Sequence, residues 1–469
     1  MSDSLTTGAA VPPEVRVRTR AYEATGVDAE FGRQARRRAP RRAAGDWDAS
    51  VRSVTALDRL RAQESVRDAG LLPLRYARMA SSPWAYLRGA AAVMAADLAS
   101  SPHSGLTVQM CGDAHILNFG LWASPERQLL FDARDFDETL PGPFEWDVKR
   151  LATSVFVLAQ TEGIRKKTAE KAAAAAVGAY AEAMHRYAGM SELEVWYDRI
   201  DADSLTRRLS SAFATETRRT IAAQSKKRSQ AGAARKLVVV DDDGNRRILL
   251  DDVKRRPLEL SESEAVSVYD QIFETYLAST PPHLRRLAGR FTRHDTVQQV
   301  VGVGSVGMRV YLHLMVGDSD VPVFFQLKQA TASVYEEFLG TSEFANHGER
   351  VVVGQRLMQS ASDVFLGFVR VDEHDYYVRQ FRDMKIIPEG SQVAPYLAEF
   401  AAACGSALAK SHARSGEPSA IAAYIGSGDA FGEGIVNFAK AYARQTSLDH
   451  SDLVAAIGDG EVEAAESGW

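Results

Sequence analysis

The sequence has little of several residue types that would mark a specialised class of protein. Its 469 residues include only two cysteines, Cys111 and Cys404, which excludes a disulfide framework and favours a reducing compartment. The 61 acidic residues exceed the 56 basic ones by five, so the chain lacks the overall positive charge typical of nucleic-acid-binding proteins. Hydrophobic residues make up 45%, which excludes wholesale disorder.

Long apolar runs are also missing. Stretches such as residues 151–159 are about half the length that a membrane-spanning helix needs. The first residues are polar and show no apolar segment followed by a cleavage site. We therefore expect a cytoplasmic protein with no membrane partner.

Both ends of the chain are predicted to be polar and weakly ordered. Residues 1–50 contain most of an arginine-rich stretch, and we expect a basic arm there. Nucleic acid is an unlikely partner apart from this arm. Residues 446–469 contain several acids and no Lys or Arg, and we expect an acidic, frayed tail.

The middle of the chain predicts an α+β fold. Residues 51–290 are expected to be mainly helical, with a polar, basic loop over 224–236. Residues 291–388 are expected to be β-rich, because apolar and polar residues alternate there with a period of two, as in 309–316. Residues 389–445 are expected to form helices that complete the helical region.

A cluster of polar side chains follows Cys111. Asp113 and Asn118 lie on a predicted loop after a short strand, and Asp135 and Asp137 follow a second apolar stretch. A hairpin between them would bring these groups together on turns that flank strands, where functional side chains concentrate. Carboxylate and amide oxygens suit Mg²⁺, and phosphoryl transfer needs such a metal together with an aspartate that orients the acceptor hydroxyl.

A glycine-rich motif lies in the predicted β-rich region. Gly302, Gly304 and Gly307 form a Gly-x-Gly-x-x-Gly pattern that includes Ser305. A dinucleotide-binding fold needs a helix after this pattern, whereas here a strand is predicted. A strand on each side is typical of a kinase loop that covers the phosphates of ATP. A hairpin without a ligand is the alternative interpretation.

Lys328 ends an apolar strand in the same region. In a kinase such a lysine contacts the ATP phosphates and pairs with a glutamate of the next helix. We favour Glu349 as that partner, because it lies at the start of the next predicted helix. The other candidates are Glu336, Glu337 and Glu343. A lysine that extends its charge to the surface is the alternative interpretation.

Several motifs identify the chain as a member of an uncharacterised bacterial family, the domain of unknown function 2252 family. These motifs are Tyr-Leu-Arg-Gly from Tyr86, Cys-Gly-Asp-Ala-His from Cys111, Asp-Phe-Asp-Glu from Asp135 and Trp-Asp-Val-Lys-Arg-Leu from Trp146. The resemblance extends over about residues 52–414 and includes the glycine-rich motif. The family name itself implies no activity.

A more distant resemblance implies an activity. Gly-Asp-x-His-x-x-Asn at residues 112–118 is similar to the catalytic loop of aminoglycoside and choline kinases. This resemblance implies that Asp113 is the catalytic base and that Asn118 binds metal. Asp135 would then be the metal-binding aspartate and Asp137 a second ligand. Asp147 would be a structural aspartate at the start of a buried helix.

The order of the motifs departs from the kinase pattern, because the glycine-rich motif and Lys328 follow the catalytic loop. Cys111 also stands where that motif has its first histidine. The resemblance therefore implies a two-lobed, protein-kinase-like fold that is circularly permuted. The helical catalytic lobe would come first and the β-rich nucleotide lobe second. Permutation is feasible because the termini of compact domains often lie close together.

The expected function is a phosphotransferase that uses ATP and Mg²⁺ and acts on an unknown hydroxyl acceptor, either a small molecule or a protein. The alternatives are a non-catalytic ATP-binding regulator, a nucleotidyltransferase that uses the same site, and a metal-dependent phosphoesterase. The last would be built on Asp113, His115, Asn118 and Asp135.

Overall fold

Helices and strands are largely segregated along the chain. The computed structural model describes residues 24–228, 230–251, 253–258, 262–300, 302–381, 385–386 and 388–466. A helical part comes first, an antiparallel sheet follows, and the last helices return to the first part. The predicted α+β class is therefore confirmed.

The first part is built from helices around four short strands. Its helices are α1 (Ala24–Arg38), α2 (Ala56–Arg61), α3 (Leu72–Ala80), α4 (Pro83–Gly89), α5 (Ala91–Ala99), α6 (Phe144–Thr161), α7 (Lys166–Tyr187), α8 (Glu192–Tyr197), α9 (Ala202–Arg208), α10 (Ser211–Arg228) and α11 (Gln230–Leu237). The strands are β1 (Thr107–Met110), β2 (Phe119–Ala123), β3 (Leu129–Ala133) and β4 (Leu140–Pro143). Helix α6 is buried almost all round, as its mostly apolar sequence predicts.

The second part contains a six-stranded antiparallel sheet. Its elements are β5 (Val238–Val240), β6 (Arg246–Ile248), β7 (Arg255–Arg256), α12 (Glu262–Ser279), α13 (Pro282–Ala288), β8 (Phe291–Gln299), β9 (Val310–Gly317), β10 (Pro322–Ala330), α14 (Glu336–Leu339), α15 (His347–Met358), β11 (Gly367–Val371) and β12 (His374–Gln380). The sheet has the order β11-β12-β10-β9-β8-β7, while β5 and β6 form a separate hairpin.

The two faces of strand β10 have different neighbours, because successive side chains of a strand point to opposite faces. Phe325 and Leu327 join an apolar cluster with residues of α12. Gln326 and Lys328 line a cavity between the sheet and the helical part. The period-two alternation of the sequence thus places Lys328 on the cavity side. Helix α12, which was predicted in the helical region, packs on the sheet instead.

The last helices pack on the helices of the first part. They are α16 (Gly390–Val393), α17 (Leu397–Ala413), α18 (Pro418–Ile425) and α19 (Asp429–Gly458). Helix α17 packs against α6 and α7, and buries Cys404 and Leu408 in the main apolar core. Within the described part of the chain, no helix has both the length and the apolar content needed to cross a bilayer.

Two predicted irregular segments are helical. The loop predicted at 224–236 is occupied by the end of α10 and most of α11. Ala233 and Leu237 of α11 are buried in a small core with Leu312 and Phe324 of the sheet. The predicted tail is helical to Gly458, the end of α19. Polar composition concealed both helices, since each has only a narrow apolar stripe to bury.

The predicted arm is ordered where the structure describes it. Helix α1 packs on α18, and Arg36 and Arg41 donate hydrogen bonds to the carbonyls of Tyr424 and Ile425 at the end of α18. These carbonyls lack partners within their helix, and basic side chains are favoured there. The arginines at positions 16, 18 and 20 lie outside the described residues.

Candidate functional site

Two loops of the small-strand region lie side by side. One connects β1 to β2 and carries Asp113. The other connects β3 to β4 and carries Asp135 and Asp137. Because β1 pairs with β4 and β2 pairs with β3, the two loops meet where one pair gives way to the other. The predicted convergence of the two acidic segments is therefore observed.

Asp113 is held by one of its carboxylate oxygens. The Nε and Nη2 atoms of Arg150 lie 2.9 and 2.8 Å from Asp113 Oδ1. The other oxygen, Oδ2, lies 4.0 Å from His115 Nε2 and accepts no hydrogen bond from a described residue. Asp113 is 23% exposed, whereas Arg150 is fully buried. One oxygen is thus fixed and the other remains for a ligand.

The backbone before Asp113 is held by a buried chain of polar groups. Asp147 accepts hydrogen bonds from the N–H groups of Cys111 and Gly112 at 2.6 and 3.0 Å. His412 Nε2 lies 3.1 Å from Asp147 Oδ2, and the Tyr180 hydroxyl lies 2.9 Å from His412 Nδ1. Asp147 therefore has the structural position expected for it, at the start of the buried helix α6.

Gly112 is required by its backbone and by its surroundings. Its φ angle is +82°, and a Cβ atom there would lie 2.3 Å from the Glu138 carbonyl oxygen. Any side chain would therefore push the Asp113 loop away from the loop that carries Glu138. The thiol of Cys111, immediately before it, is buried and its pKa is raised by that burial, so it is no thiolate nucleophile.

Asn118 connects the two loops. Its Nδ2 atom donates to the carbonyls of Asp113 and Asp135, at 2.9 and 3.2 Å. The amide oxygen is the remaining polar atom of this side chain, which lines the cavity together with Asp135. Burial opposes ionisation of Asp135, but the charges of Lys328 and Arg379 outweigh it and lower the pKa of the carboxyl. Asp135 is therefore an anion facing the cavity.

Lys328 crosses from the sheet to the acidic loop. Its ammonium group forms an ion pair with Asp137 and lies 4.0 Å from Asp135 Oδ1. Burial opposes the charge of Lys328, but the two carboxylates raise its pKa. The structure thus pairs Lys328 with Asp137 in place of the predicted Glu349, because the lysine points toward the helical part. Asp137 also accepts a hydrogen bond from Tyr377 at 2.8 Å.

The glycine-rich loop joins β8 to β9, as predicted, and its carbonyls are turned toward the helical part. Arg67 Nη1 donates to the Gly304 carbonyl at 2.8 Å, and Arg78 Nη1 donates to the Gly302 carbonyl at 2.8 Å. The Gly307 carbonyl also accepts a backbone hydrogen bond from the helical part. The N–H groups of Gly304 and Ser305 find no acceptor among the described residues. Unpaired N–H groups on such a loop can bind an anion.

Two adjoining cavities bring these groups together. The larger, of about 1410 Å³, is lined by Asn118, Asp135, Gly302, Ser305 and Lys328. The smaller, of about 270 Å³, lies under the glycine-rich loop, and its walls include Asp113, Asp135, Asp137, Gly302, Gly304 and Ser305. Predicted site residues from both halves of the chain therefore share one cleft. Gly307 and Glu349 line neither cavity.

The residues present suit a metal that shares its ligands with a substrate. Asp135 Oδ1 is buried and accepts no hydrogen bond from a described residue, and Asn118 lines the same cavity. Mg²⁺ is commonly held by one or two protein ligands together with substrate phosphates. The described residues contain no group of three or more His, Cys, Asp or Glu arranged to hold a metal by themselves. Both oxygens of Asp137 are engaged by Lys328 and Tyr377.

Several arginines of the site carry no signal in the sequence. Arg67 and Arg78 are remote from the loop that they hold, so spacing could not find them. Arg350, next to Glu349, donates to the carbonyls of Thr139 and Asp137. A charge in the otherwise apolar stretch after Asp147 could have indicated Arg150, because a buried charge requires a partner.

Comparison with known proteins supplies a family and no activity. No curated protein and no solved structure matches the chain. Residues 67–456 match the model of a family described as an uncharacterized protein conserved in bacteria. That match spans most of the chain and contains both the Asp113 loop and the glycine-rich loop. The chain therefore belongs to the domain of unknown function 2252 family.

Proposed function

We propose that the protein is an ATP- and Mg²⁺-dependent phosphotransferase with a permuted, kinase-like arrangement, acting on a hydroxyl acceptor. The observation that carries this proposal is the convergence of Asp113, Asp135, Lys328 and the glycine-rich loop on one cleft. These segments are about 200 residues apart in the sequence. A shared cleft is what phosphoryl transfer requires, since its catalysis consists of positioning and charge stabilisation.

The order of elements within the sheet supports the same proposal. The glycine-rich loop connects β8 to β9, and Lys328 lies on β10, the third of these long strands. The short helix α14 and then helix α15 follow β10. A kinase has the same sequence of glycine-rich loop, third-strand lysine and helix. The proposed difference is that here the whole sheet follows the catalytic loop in the chain.

The side chains of the cleft would divide the chemical work. Asp113 Oδ2 would accept a hydrogen bond from the acceptor hydroxyl and orient it, while Arg150 holds Oδ1 in place. Lys328 and the N–H groups of Gly304 and Ser305 would contact the phosphates of ATP. Mg²⁺ would neutralise charge that develops on the transferred group, held by Asp135 and Asn118.

A non-catalytic, nucleotide-binding regulator is the second candidate. The Arg150–Asp113 ion pair favours it, because Arg150 occupies one oxygen of the carboxylate that would have to orient the acceptor. The two candidates differ in turnover, since both would bind Mg-ATP and only the first would transfer phosphate.

The binding test compares thermal unfolding with and without Mg-ATP. Mg-ATP at 100 times its Kd should stabilise the wild type by about 2.7 kcal/mol. We expect Asp135→Ala and Lys328→Ala to abolish this response and Lys171→Ala, an exposed residue of α7, to keep it. No stabilisation of the wild type by ATP with any divalent metal would refute nucleotide binding.

The turnover test measures nucleotide products. We expect the wild type to release ADP in the presence of an acceptor, and Asp113→Asn to lower that rate by about 10²- to 10⁴-fold. Pyrophosphate in place of ADP would indicate nucleotidyl transfer. An Asp113→Asn variant with unchanged turnover would remove Asp113 from the reaction. Binding without turnover under all conditions would favour the regulator.

A further inference from the structure

His115 lies on the tight turn that follows Asp113. Its backbone N–H donates to the Asp113 carbonyl at 2.8 Å, and its own carbonyl accepts from the N–H of Asn118 at 2.7 Å. A hydrogen bond between residues two apart closes a three-residue turn, which fixes the spacing of the side chains on it. The side chain of His115 is only 8% exposed and lines both cavities of the cleft. The proposed division of chemical work assigns no role to this ring.

The imidazole ring of His115 is held in place but lacks hydrogen bonds. Trp84 packs against it edge-to-face, with 5.4 Å between the ring centroids. Neither ring nitrogen has a hydrogen-bond partner among the described residues. Nδ1 is buried, whereas Nε2 lies 4.0 Å from Asp113 Oδ2. A buried polar group without a partner is costly, so a ligand that bonds to Nε2 is favoured.

The surroundings of His115 favour a neutral ring with its proton on Nε2. Burial, together with the charges of Arg88 and Arg150, lowers the pKa of His115 well below its ordinary value. A neutral imidazole carries one N–H group and one lone pair. An N–H group that faces the Asp113 carboxylate is attracted to it, whereas a lone pair in that position is repelled. His115 is therefore a hydrogen-bond donor toward Asp113 and a poor acceptor of a proton.

The gap between His115 Nε2 and Asp113 Oδ2 fits one oxygen atom. At 4.0 Å it is too long for a direct hydrogen bond, and an oxygen at about 2.8 Å from each atom bridges it. That oxygen has to donate to the carboxylate and accept from the ring. A hydroxyl does both, because it has one proton and two lone pairs. A phosphate oxygen of the nucleotide is disfavoured there, since it is negatively charged and brings no proton for Asp113.

From this geometry we infer that His115 is a catalytic residue that binds the acceptor hydroxyl together with Asp113. The Nε2–H group of His115 donates to one lone pair of the hydroxyl oxygen, and the hydroxyl donates to Asp113 Oδ2. This inference rests on the proposed function and adds the second group that holds the acceptor. It also restricts the acceptor class, because an ammonium group has no lone pair for His115 and a carboxylate has no proton for Asp113.

The two hydrogen bonds leave the second lone pair of the hydroxyl oxygen free to react. In the transfer, this oxygen forms a bond to the γ-phosphorus of ATP while the bond from that phosphorus to the β,γ-bridging oxygen breaks. The bridging oxygen keeps the electron pair, and ADP leaves. The hydroxyl proton passes to Asp113 Oδ2. His115 keeps its own proton throughout and holds the acceptor oxygen in the orientation for attack.

Two variants separate the hydrogen bond of His115 from the packing of its ring. His115→Phe keeps an aromatic ring beside Trp84 and loses the donor. His115→Gln keeps an N–H group near the position of Nε2. The matched control is His283→Gln, at an exposed position of α13 outside both cavities. Unfolding curves establish that each variant is folded.

The first measurement follows ADP release from Mg-ATP by the full-length protein, with water and then glycerol as the acceptor. We expect His115→Phe to lower kcat by about tenfold or more, because the reacting oxygen loses a hydrogen bond. His115→Gln should retain more activity than His115→Phe, and the control should match the wild type. Calorimetry with Mg²⁺ and the non-hydrolysable β,γ-imido analogue of ATP should give the same Kd for His115→Phe and the wild type. Equal affinity would place the contact of His115 on the acceptor and not on the nucleotide phosphates.

The second measurement needs no turnover. Nitrogen NMR of protein with labelled histidine shows which ring nitrogen carries the proton at neutral pH, and the signal that His115→Phe lacks identifies His115. We expect the proton on Nε2.

The outcomes separate this inference from the proposed function. A His115→Phe variant with the wild-type kcat, or a His115 proton on Nδ1, would overturn the inference and leave the phosphotransferase proposal intact. Weaker binding of the imido analogue by His115→Phe would also overturn it, because the ring would then contact the nucleotide. A wild type that releases no ADP with either acceptor would refute the proposed function, and the inference would fail with it.

Discussion

The helical region and the sheet each contain a buried lysine paired with an aspartate of the same short segment. Lys410 of α17 pairs with Asp132, and both side chains have no exposure. Lys328 of β10 pairs with Asp137, which is 31% exposed. Burial lowers the pKa of Lys410 although Asp132 opposes it, whereas two carboxylates raise that of Lys328 against its burial.

The two pairs differ in their surroundings, since one is enclosed in the fold and the other faces the candidate site. Lys410 has its ammonium group between Asp132 and the Ser360 hydroxyl, at 2.6 Å from the latter, and it fixes α17 to β3. Lys328 faces a cavity in which a second carboxylate, Asp135, is close by. The same chemical pair therefore stabilises the fold in one region and remains accessible to ligands in the other.

We expect the largest loss of stability when the enclosed pair loses its lysine. We expect Lys410→Ala to lower the free energy of unfolding by about 3–5 kcal/mol, because it leaves Asp132 buried without a counter-charge. Lys328→Ala should cost less than half of that, since Asp137 keeps its bond to Tyr377 and faces the cavity. Urea denaturation at neutral pH measures both. Equal losses for the two variants would contradict the comparison.

The two regions also differ in the partners of their buried histidines. In the helical region His412 contacts Asp147, whereas in the sheet His313 has the Thr296 hydroxyl as partner at 2.9 Å. Burial, with a contribution from Arg293, lowers the pKa of His313 to about 3. The unfolded chain binds this proton near pH 6.5, so stability is lost as the pH falls below 6.5 toward 3.

At pH 5 this loss should reach about 2 kcal/mol relative to pH 7. His313→Gln should remove that part of the acid sensitivity, while His294→Gln, at an exposed position of β8, should retain it. Thermal or urea unfolding at several pH values between 5 and 7 makes the measurement. A His313→Gln variant with the wild-type pH dependence would show that this histidine is not the source.

The glycine-rich loop belongs to the sheet but is held by the helical region. We expect the smallest losses of stability from alanine substitutions that test this contact. Gly307 has φ +87°, and a Cβ atom there would lie 2.9 Å from Arg67 Cβ. Gly244 has φ +84° with nothing within 4 Å of such an atom. Alanine should cost about 1 kcal/mol at Gly244 from the backbone alone, and about 2 kcal/mol at Gly307 because Arg67 must also move.

Unfolding measurements compare the two glycine variants directly. Gly307→Ala should in addition weaken stabilisation by Mg-ATP, since Arg67 also holds the Gly304 carbonyl. Gly244→Ala, at a hairpin turn away from the cleft, should leave that response unchanged. If the two substitutions cost the same, the contact between the loop and the helical region contributes nothing.

Local sequence patterns determined a large part of this structure. The alternation at 309–316 and the apolar run that ends at Lys328 predict two strands, and the structure contains both, as β9 and β10. The acids after Cys111 were predicted to meet, and Asn118 joins their two loops. Both results follow from short-range geometry, because strand period and hairpin pairing depend on neighbouring residues.

Partners distant in sequence could not be predicted in this way. Lys328 pairs with Asp137 and not with Glu349, and Arg67 holds the Gly304 carbonyl across more than 200 residues. The helix at 230–237 likewise formed because its few apolar residues could be buried on the sheet. Its polar composition alone favoured a loop.

Composition and periodicity are enough to predict the α+β class, and the motifs show which residue types are available for chemistry. The folded arrangement sets which charges meet, which of them are enclosed, and which line the cleft beside Asp113. The physical reason is that composition and periodicity act over a few residues. The energy of a charge depends instead on burial and on partners that the folded chain brings from any distance.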